Sequence, residues 1–152
     1  MSRRAAPLGV FDSGLGGLTV LRAMDRLLPR ERMMYFGDTA RLPYGNKSRA
    51  TVSRLSVEAM RFLEHFGIKA LVVACNSASA LAMDALRAAS QVPVLGVVEA
   101  GVERALEVTR TGVIGVIGTR ATIGSRCYET GLAAKRPGVS VVSAACPLFV
   151  PL

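Results

Sequence analysis

Cys75, Asn76 and Ser77 directly follow the apolar run LVVA, and a helix-compatible stretch follows them. A thiol at such a junction can be a small buried hydrophobe. It can also be a thiolate at a helix start, where the positive end of the dipole lowers its pKa from about 8.5. Polar groups collect at three further strand ends: Asp12 and Ser13; the loop with Asp38, Pro43, Tyr44 and Gly45; and Thr119 with Thr122. Ligands of open α/β sheets bind outside the carboxyl ends of the strands. Four such ends on one rim favour the thiolate over the inert cysteine, with the Asp12 carboxylate nearby. His65 is the single histidine and lies at the wrong end of its helix for a Cys–His pair. A thiol without a histidine suits proton transfer better than acyl transfer. Cys127, within a helix, and Cys146, just past a strand, lack polar neighbours of this kind and read as structural.

The elements that must position these residues alternate in type. PLGVFD (7–12) reads as a strand ending in a glycine-rich turn, and Leu18, Leu21, Met24, Leu27 and Leu28 have helical spacing up to Pro29. RMMYFG is a second strand, and DTARLPYGNKS is a loop. A helix over 48–66 draws its apolar side from Leu55, Met60, Phe62 and Leu63, and Gly67 stands where a helix-terminating glycine belongs. Strand 69–74, helix 78–89, strand 92–98, helix 99–109, strand 112–117, helix 120–134 and strand 139–145 follow. This alternation predicts an α/β fold with an open, mainly parallel sheet flanked by helices and right-handed crossovers.

Hydrophobic residues make up 51% of the 152 positions and aromatic residues 5%, so the core must be aliphatic, as suits a covered parallel sheet. No apolar run approaches bilayer length and none follows Arg3 and Arg4 as a signal peptide would, so a cytoplasmic location without membrane contact is expected. Three cysteines with no CxxC pair argue against a disulfide framework and a zinc site, and no metal is expected. The net charge of +8 comes from basic residues in runs no longer than two, without interleaved aromatics to stack on bases. Nucleic-acid binding is therefore not expected. The chain stops on ACPLFVPL, apolar and uncapped, as if partway through a larger unit.

DSGLGGLTV resembles a dinucleotide fingerprint, but Gly14 and Gly16 are followed by Thr19 where a third glycine is required. No acidic residue closes the second strand at the usual distance, and a lysine-bearing phosphate loop is absent. The glycines suit backbone N–H groups approaching a smaller anion such as a carboxylate, or simply a tight turn.

GVFDSGLGGLTVLR, YFGDTARLPYGNKS, VVACNSASA, GVIGTRATIGS and ACPLFVPL together resemble the glutamate racemase family, from about Gly9 to Leu152. One departure is mild: Ser77 stands where the family usually has Thr, and the hydroxyl is kept. The resemblance implies cofactor-independent interconversion of L- and D-glutamate for peptidoglycan. It implies two cysteines on opposite faces of the α-carbon, one removing the proton and the other delivering one. Cys75 matches the first, and Asp12 the acid that assists it. Ser13, Pro43, Tyr44, Gly45, Asn76, Ser77, Thr119 and Thr122, with Asp12, match residues lining the substrate. As an anion, Asp12 would raise the Cys75 pKa, so its role fits proton acceptor or orienting partner better than electrostatic activator. The second cysteine lies in a Gly-Cys-Thr-His stretch that this sequence does not contain. The resemblance therefore implies the first of two similar domains (1–98, without its closing segment) plus part of the second (99–152). A homodimer is compatible with it. A racemase of aspartate or a related acid is a near variant, and a non-catalytic protein contacting DNA or a DNA-bound enzyme is the alternative from another class.

Overall fold

Leu8–Asp12 (β1) carries no polar side chain before its last residue, and it is buried over all but the first position. The computed structural model describes residues 5–149. Arg3, Arg4 and the final three residues of ACPLFVPL lie outside them. β1 is flanked by Met33–Gly37 (β2) and Ala70–Val73 (β3), and β3 pairs in turn with Val94–Gly96 (β4). All pairings are parallel, in the order β2-β1-β3-β4. Register sets Asp12 beside Gly37 and Phe11 beside Val73. The chain segments after β1, β2 and β3 therefore leave the sheet side by side. A second sheet joins Val113–Gly118 (β5) to Ser140–Ala145 (β6), again parallel. The mainly parallel α/β architecture expected from the alternation is what the chain forms.

The crossovers are helical: Leu18–Leu27 (α1), Arg49–His65 (α2), Asn76–Leu81 (α3), Met83–Ala89 (α4), Val97–Val108 (α5), Arg120–Ser125 (α6) and Cys127–Lys135 (α7). Ser48 caps α2 by accepting the Thr51 N–H, and Gly67 beyond its end takes φ +71°, the left-handed conformation that glycine adopts without steric cost. The first core packs Phe11, Leu55, Met60, Leu63, Leu71 and Leu86 between the four-stranded sheet and α2–α4. A smaller one gathers Val98, Val102 and Leu132 beneath β5 and β6.

Several expectations are corrected. The single helix over 78–89 is two, α3 and α4, and it begins at Asn76. Arg49 Nη1 and Ser53 Oγ of α2 donate to the Leu81 carbonyl, taking up the acceptor that a continuous helix would use. The single helix over 120–134 is also two. Ser125 Oγ donates to the Thr122 carbonyl and accepts the Cys127 N–H, and Arg126 turns left-handed at φ +56°. Cys127 consequently opens α7 instead of lying within a helix. Strand 92–98 shrinks to β4, because Val97 already begins α5 and gives its N–H to Ser79 Oγ. Phe62 is half exposed, set between Phe36 and Phe66 in a tilted and an edge-on contact, and does not enter the core. No residue of α1 is fully buried, although its leucines are spaced for a face. No helix among the described residues is long and apolar enough to cross a membrane.

Candidate active site

β3 ends at Val73, and Cys75 caps α3 two residues later, so the thiol stands at the carboxyl edge of the sheet. It is 95% covered, at 5% relative exposure. Its S–H donates to Ser13 Oγ at 3.2 Å, and Sγ accepts the Ala78 N–H at 3.4 Å. Ser13 is placed by its neighbour Asp12, the last residue of the central strand. The Asp12 carboxylate accepts the Gly17 N–H at 2.8 Å, closing the glycine turn over itself. A Cβ at Gly17 would meet the Asp12 Cβ at 2.6 Å, so this close approach requires glycine.

Burial pushes the Cys75 thiol up, and the Asp12 charge adds to the rise. The Ser13 hydroxyl and the Ala78 N–H pull it down but do not prevail. The expectation of a dipole-lowered thiol is therefore corrected. α3 is six residues long and turns one N–H onto the sulfur, which is little against the loss of water around a covered thiol.

The PYG loop enters from the other side. Pro43 precedes a 3-10 turn over Tyr44–Asn46. The Tyr44 ring is fully buried against Phe11, and its hydroxyl donates to Asp38 Oδ2 at 2.6 Å. Burial and that carboxylate drive the phenol pKa well up, so it remains a neutral donor. What this turn can offer a ligand is backbone, not the Tyr44 side chain. Asp38 is buried and also accepts from Arg41, which reaches on to Glu58. Gly45 packs so closely on Thr119 that a Cβ would lie 2.5 Å from the Thr119 Cβ.

Thr119 follows β5 and caps α6, accepting the Thr122 N–H at 3.1 Å. Its hydroxyl lies 2.9 Å from Ser77 Oγ and 3.0 Å from Thr122 Oγ1. A continuous hydroxyl chain Ser77–Thr119–Thr122 thus links the end of the four-stranded sheet to the end of the two-stranded one. Asn76 is exposed, and its Oδ1 accepts from Tyr128 of α7 at 2.7 Å. The carbonyl of this amide is occupied, so its NH2 donors are the groups presented outward.

The structure therefore brings Asp12, Ser13, Cys75, Asn76, Ser77, Gly45, Thr119 and Thr122 to one rim, with Pro43 and Tyr44 shaping the loop beside it. Hydroxyls and the Asn76 NH2 collect there, groups able to donate to a ligand carrying carboxylates. His65 is exposed at the far end of α2 against Phe66. Among the described residues no group of three His, Cys, Asp or Glu is placed to hold a metal. Tyr35 and Tyr128 are rim partners that the motifs did not single out. Tyr35 opens the stretch YFGDTARLPYGNKS, but nothing there marks it as more than a hydroxyl-bearing ring in an otherwise apolar strand, two residues before the glycine that pairs with Asp12.

The Asp/Glu/Hydantoin racemase family model matches residues 8–147. The glutamate racemase of Geobacter metallireducens is 56% identical over 145 residues, which is 95% of this chain and 54% of that protein. The crystal structure of glutamate racemase isoform RacE1 from Bacillus anthracis superposes with a TM-score of 0.93 at 45% identity, over 96% of this chain and 55% of that one. Glutamate racemase from Francisella tularensis, in complex with D-glutamate, superposes at 0.88 with 42% identity, over 97% of this chain and 55% of that one. The chain spans about half the length of the curated relatives it matches.

Proposed function

The chain belongs to the Asp/Glu/Hydantoin racemase family, and on that premise we propose that it carries one half of a glutamate racemase site. Cys75 acts on one face of the substrate α-carbon. Its thiolate takes the α-proton and leaves the electron pair on carbon, delocalised into the adjacent carboxylate. A second acid on the opposite face, supplied from outside residues 1–152, returns a proton to that carbon with inverted configuration. In the reverse direction the Cys75 thiol is the donor. Two groups are required because one side chain cannot easily serve both faces.

The observation that carries this reading is the covered Cys75 thiol with Ser13 on its sulfur at a hydroxyl-lined rim. A thiol whose pKa is held up is a strong base once ionised and a competent acid when protonated, as a reaction running in both directions needs. Ser13 follows the sulfur as acceptor from the thiol and donor to the thiolate. Asp12 anchors the glycine turn and orients this pair, since its charge opposes ionisation of the sulfur. The hydroxyls of Ser77, Thr119 and Thr122, the Asn76 NH2 and the backbone of Gly45 hold the glutamate carboxylates. The chemistry calls on no cofactor. The two sheets, each with its own core, support a division into a first domain over 1–98 and part of a second over 99–152. A cytoplasmic role in supplying D-glutamate to peptidoglycan, in a protein able to form homodimers and without a nucleic-acid partner, completes the reading.

The test follows deuterium. D-Glutamate and, separately, L-glutamate are incubated in deuterated water with the native gene product and with Cys75→Ser. The wild type is expected to place deuterium at the α-carbon and lose optical rotation. Cys75→Ser should fall by at least about 10²–10⁴-fold, the usual contribution of a positioned acid or base. Undiminished racemisation from both enantiomers would overturn the reading.

A further inference from the structure

Tyr35, in the middle of β2, sends its hydroxyl onto the glycine turn of the neighbouring strand. It donates to the Gly14 carbonyl at 2.8 Å and lies 3.4 Å from Asp12 Oδ2. From the same strand, Gly37 approaches so closely that a Cβ there would sit 2.3 Å from the Gly14 oxygen. β2 therefore grips one carbonyl twice, by a hydrogen bond and by a bare Cα packed against it. The residue between that carbonyl and Asp12 is Ser13, whose Oγ accepts the Cys75 S–H. Asp12 is itself tied to Gly17. Ser13 is thus held at both ends, by a strand residue before it and by the Tyr35 bond after it.

We propose that Tyr35 is a positioning residue for the Cys75 thiol, acting through the Gly14 carbonyl and Ser13. Its effect on turnover rests on the racemase reading above, and its effect on the thiol rests on geometry alone. When Cys75 loses its proton, Ser13 must reverse from acceptor to donor without moving away. A turn pinned at Gly14 keeps it within reach. Without the phenol hydroxyl the Gly14 carbonyl loses its donor, the turn relaxes, and the thiolate loses its closest side-chain donor. The other groups facing the sulfur are Asp12 from β1 and the Ser13 N–H beside it, Tyr35 itself from β2, Tyr44 from the 3-10 turn and the Ala78 N–H of α3. Tyr44 and Ala78 are untouched by a change at Tyr35, and Asp12 loses only a 3.4 Å contact. Loss of the Ser13 donor therefore sets the sign, and the Cys75 midpoint moves up.

The experiment uses the native gene product, with iodoacetamide alkylation of Cys75 followed by peptide mass across pH. Tyr35→Phe should slow alkylation near pH 8 about fivefold and raise its midpoint, while kcat on D-glutamate falls about tenfold with KM changing less than about twofold. In a Ser13→Ala background the same change should add almost nothing to the alkylation effect, because the two act through one contact. 3-Fluorotyrosine placed at position 35 keeps the shape and donates more strongly, so it should move the midpoint down. That opposite sign is not expected of a ring that merely packs, and it decides the matter if Tyr35→Phe does not fold. An unchanged midpoint in Tyr35→Phe, a rise with 3-fluorotyrosine, or full additivity with Ser13→Ala would overturn the role of Tyr35. Alkylation needs no turnover. A shifted midpoint in a protein that racemises nothing would uphold the positioning and overturn the racemase reading. Intact racemisation with an unshifted midpoint would do the reverse.

Discussion

At Cys75 the balance of effects is one-sided. Removal of water, reinforced by Asp12, outweighs one hydroxyl and one amide N–H, and the thiol stays protonated into the alkaline range. A group with a raised pKa yields its thiolate only as pH climbs past the ordinary thiol value of about 8.5. Under the proposed role of Cys75 as the base in one direction, kcat/KM on the native gene product is therefore expected to rise steadily from neutral pH to above about pH 8.5. A profile flat across that span would show that burial does not hold the Cys75 thiol up in the free enzyme. Thr119 makes a second argument at this scale. It caps α6, spans Ser77 and Thr122, and supports Gly45. Thr119→Val should cost about 1–2 kcal/mol in urea unfolding and also raise KM for glutamate. Ser48→Ala removes an ordinary cap whose hydroxyl bonds Thr51 of α2, so it should cost about 1 kcal/mol and change KM less than Thr119→Val.

Among the elements, the two interrupted helices are informative because both breaks lie near the rim. The α3–α4 break follows from side chains of α2 reaching the Leu81 carbonyl. The α6–α7 break is made locally, by Ser125 competing for backbone groups and by Arg126 in a left-handed conformation. That conformation costs a non-glycine residue about 1–2 kcal/mol, part of which glycine returns through its looser unfolded state. Arg126→Gly should therefore stabilise the fold by about 0.5–1 kcal/mol in denaturant titration, with the break retained. Destabilisation would mean that the Arg126 side chain contributes more than its backbone costs. The break also serves the site: α7 can start afresh and carry Tyr128 to Asn76.

Across the whole molecule, apolar surface is unevenly covered. Val113, Ile117 and Val142 stand more than half exposed on one face of the β5–β6 sheet, and Leu148 and Phe149 are exposed beyond its end. Parallel sheets are ordinarily covered on both faces, and two paired strands alone are marginal. Relatives about twice as long provide chain enough to cover this face. The 152 residues alone are thus expected to bind a hydrophobic dye strongly and self-associate, whereas a polypeptide extended to the relatives' length should not. Ile117→Ser with Val142→Thr should improve the solubility of the short chain and destabilise the long one. Equal effects on both would mean that this face remains bare in the longer protein. The basic surface is similarly distributed: Arg41, Arg54, Lys69, Arg87, Arg104 and Lys135 each meet a carboxylate.

Periodicity and glycine placement alone determined the α/β class, the order of elements and which polar residues stand at strand ends. These follow from local rules, namely the strand and helix repeats and the need for a turn between them. The motifs DSG-x-GG, PYG and CNS were legible for the same reason, since each belongs to one continuous turn. Only the tertiary structure decided what those turns do to one another. That the Tyr44 ring is buried while its loop faces the rim depends on Asp38 and Phe11 meeting it in space. That Ser77 touches Thr119, 42 residues away, depends on how the two sheets abut. The Cys75 pKa turned on burial, which local sequence around a helix start does not report. Tyr35 was silent for the same reason. A tyrosine in a strand has no meaning as a site residue until the register sets it beside the carbonyl of a neighbouring turn.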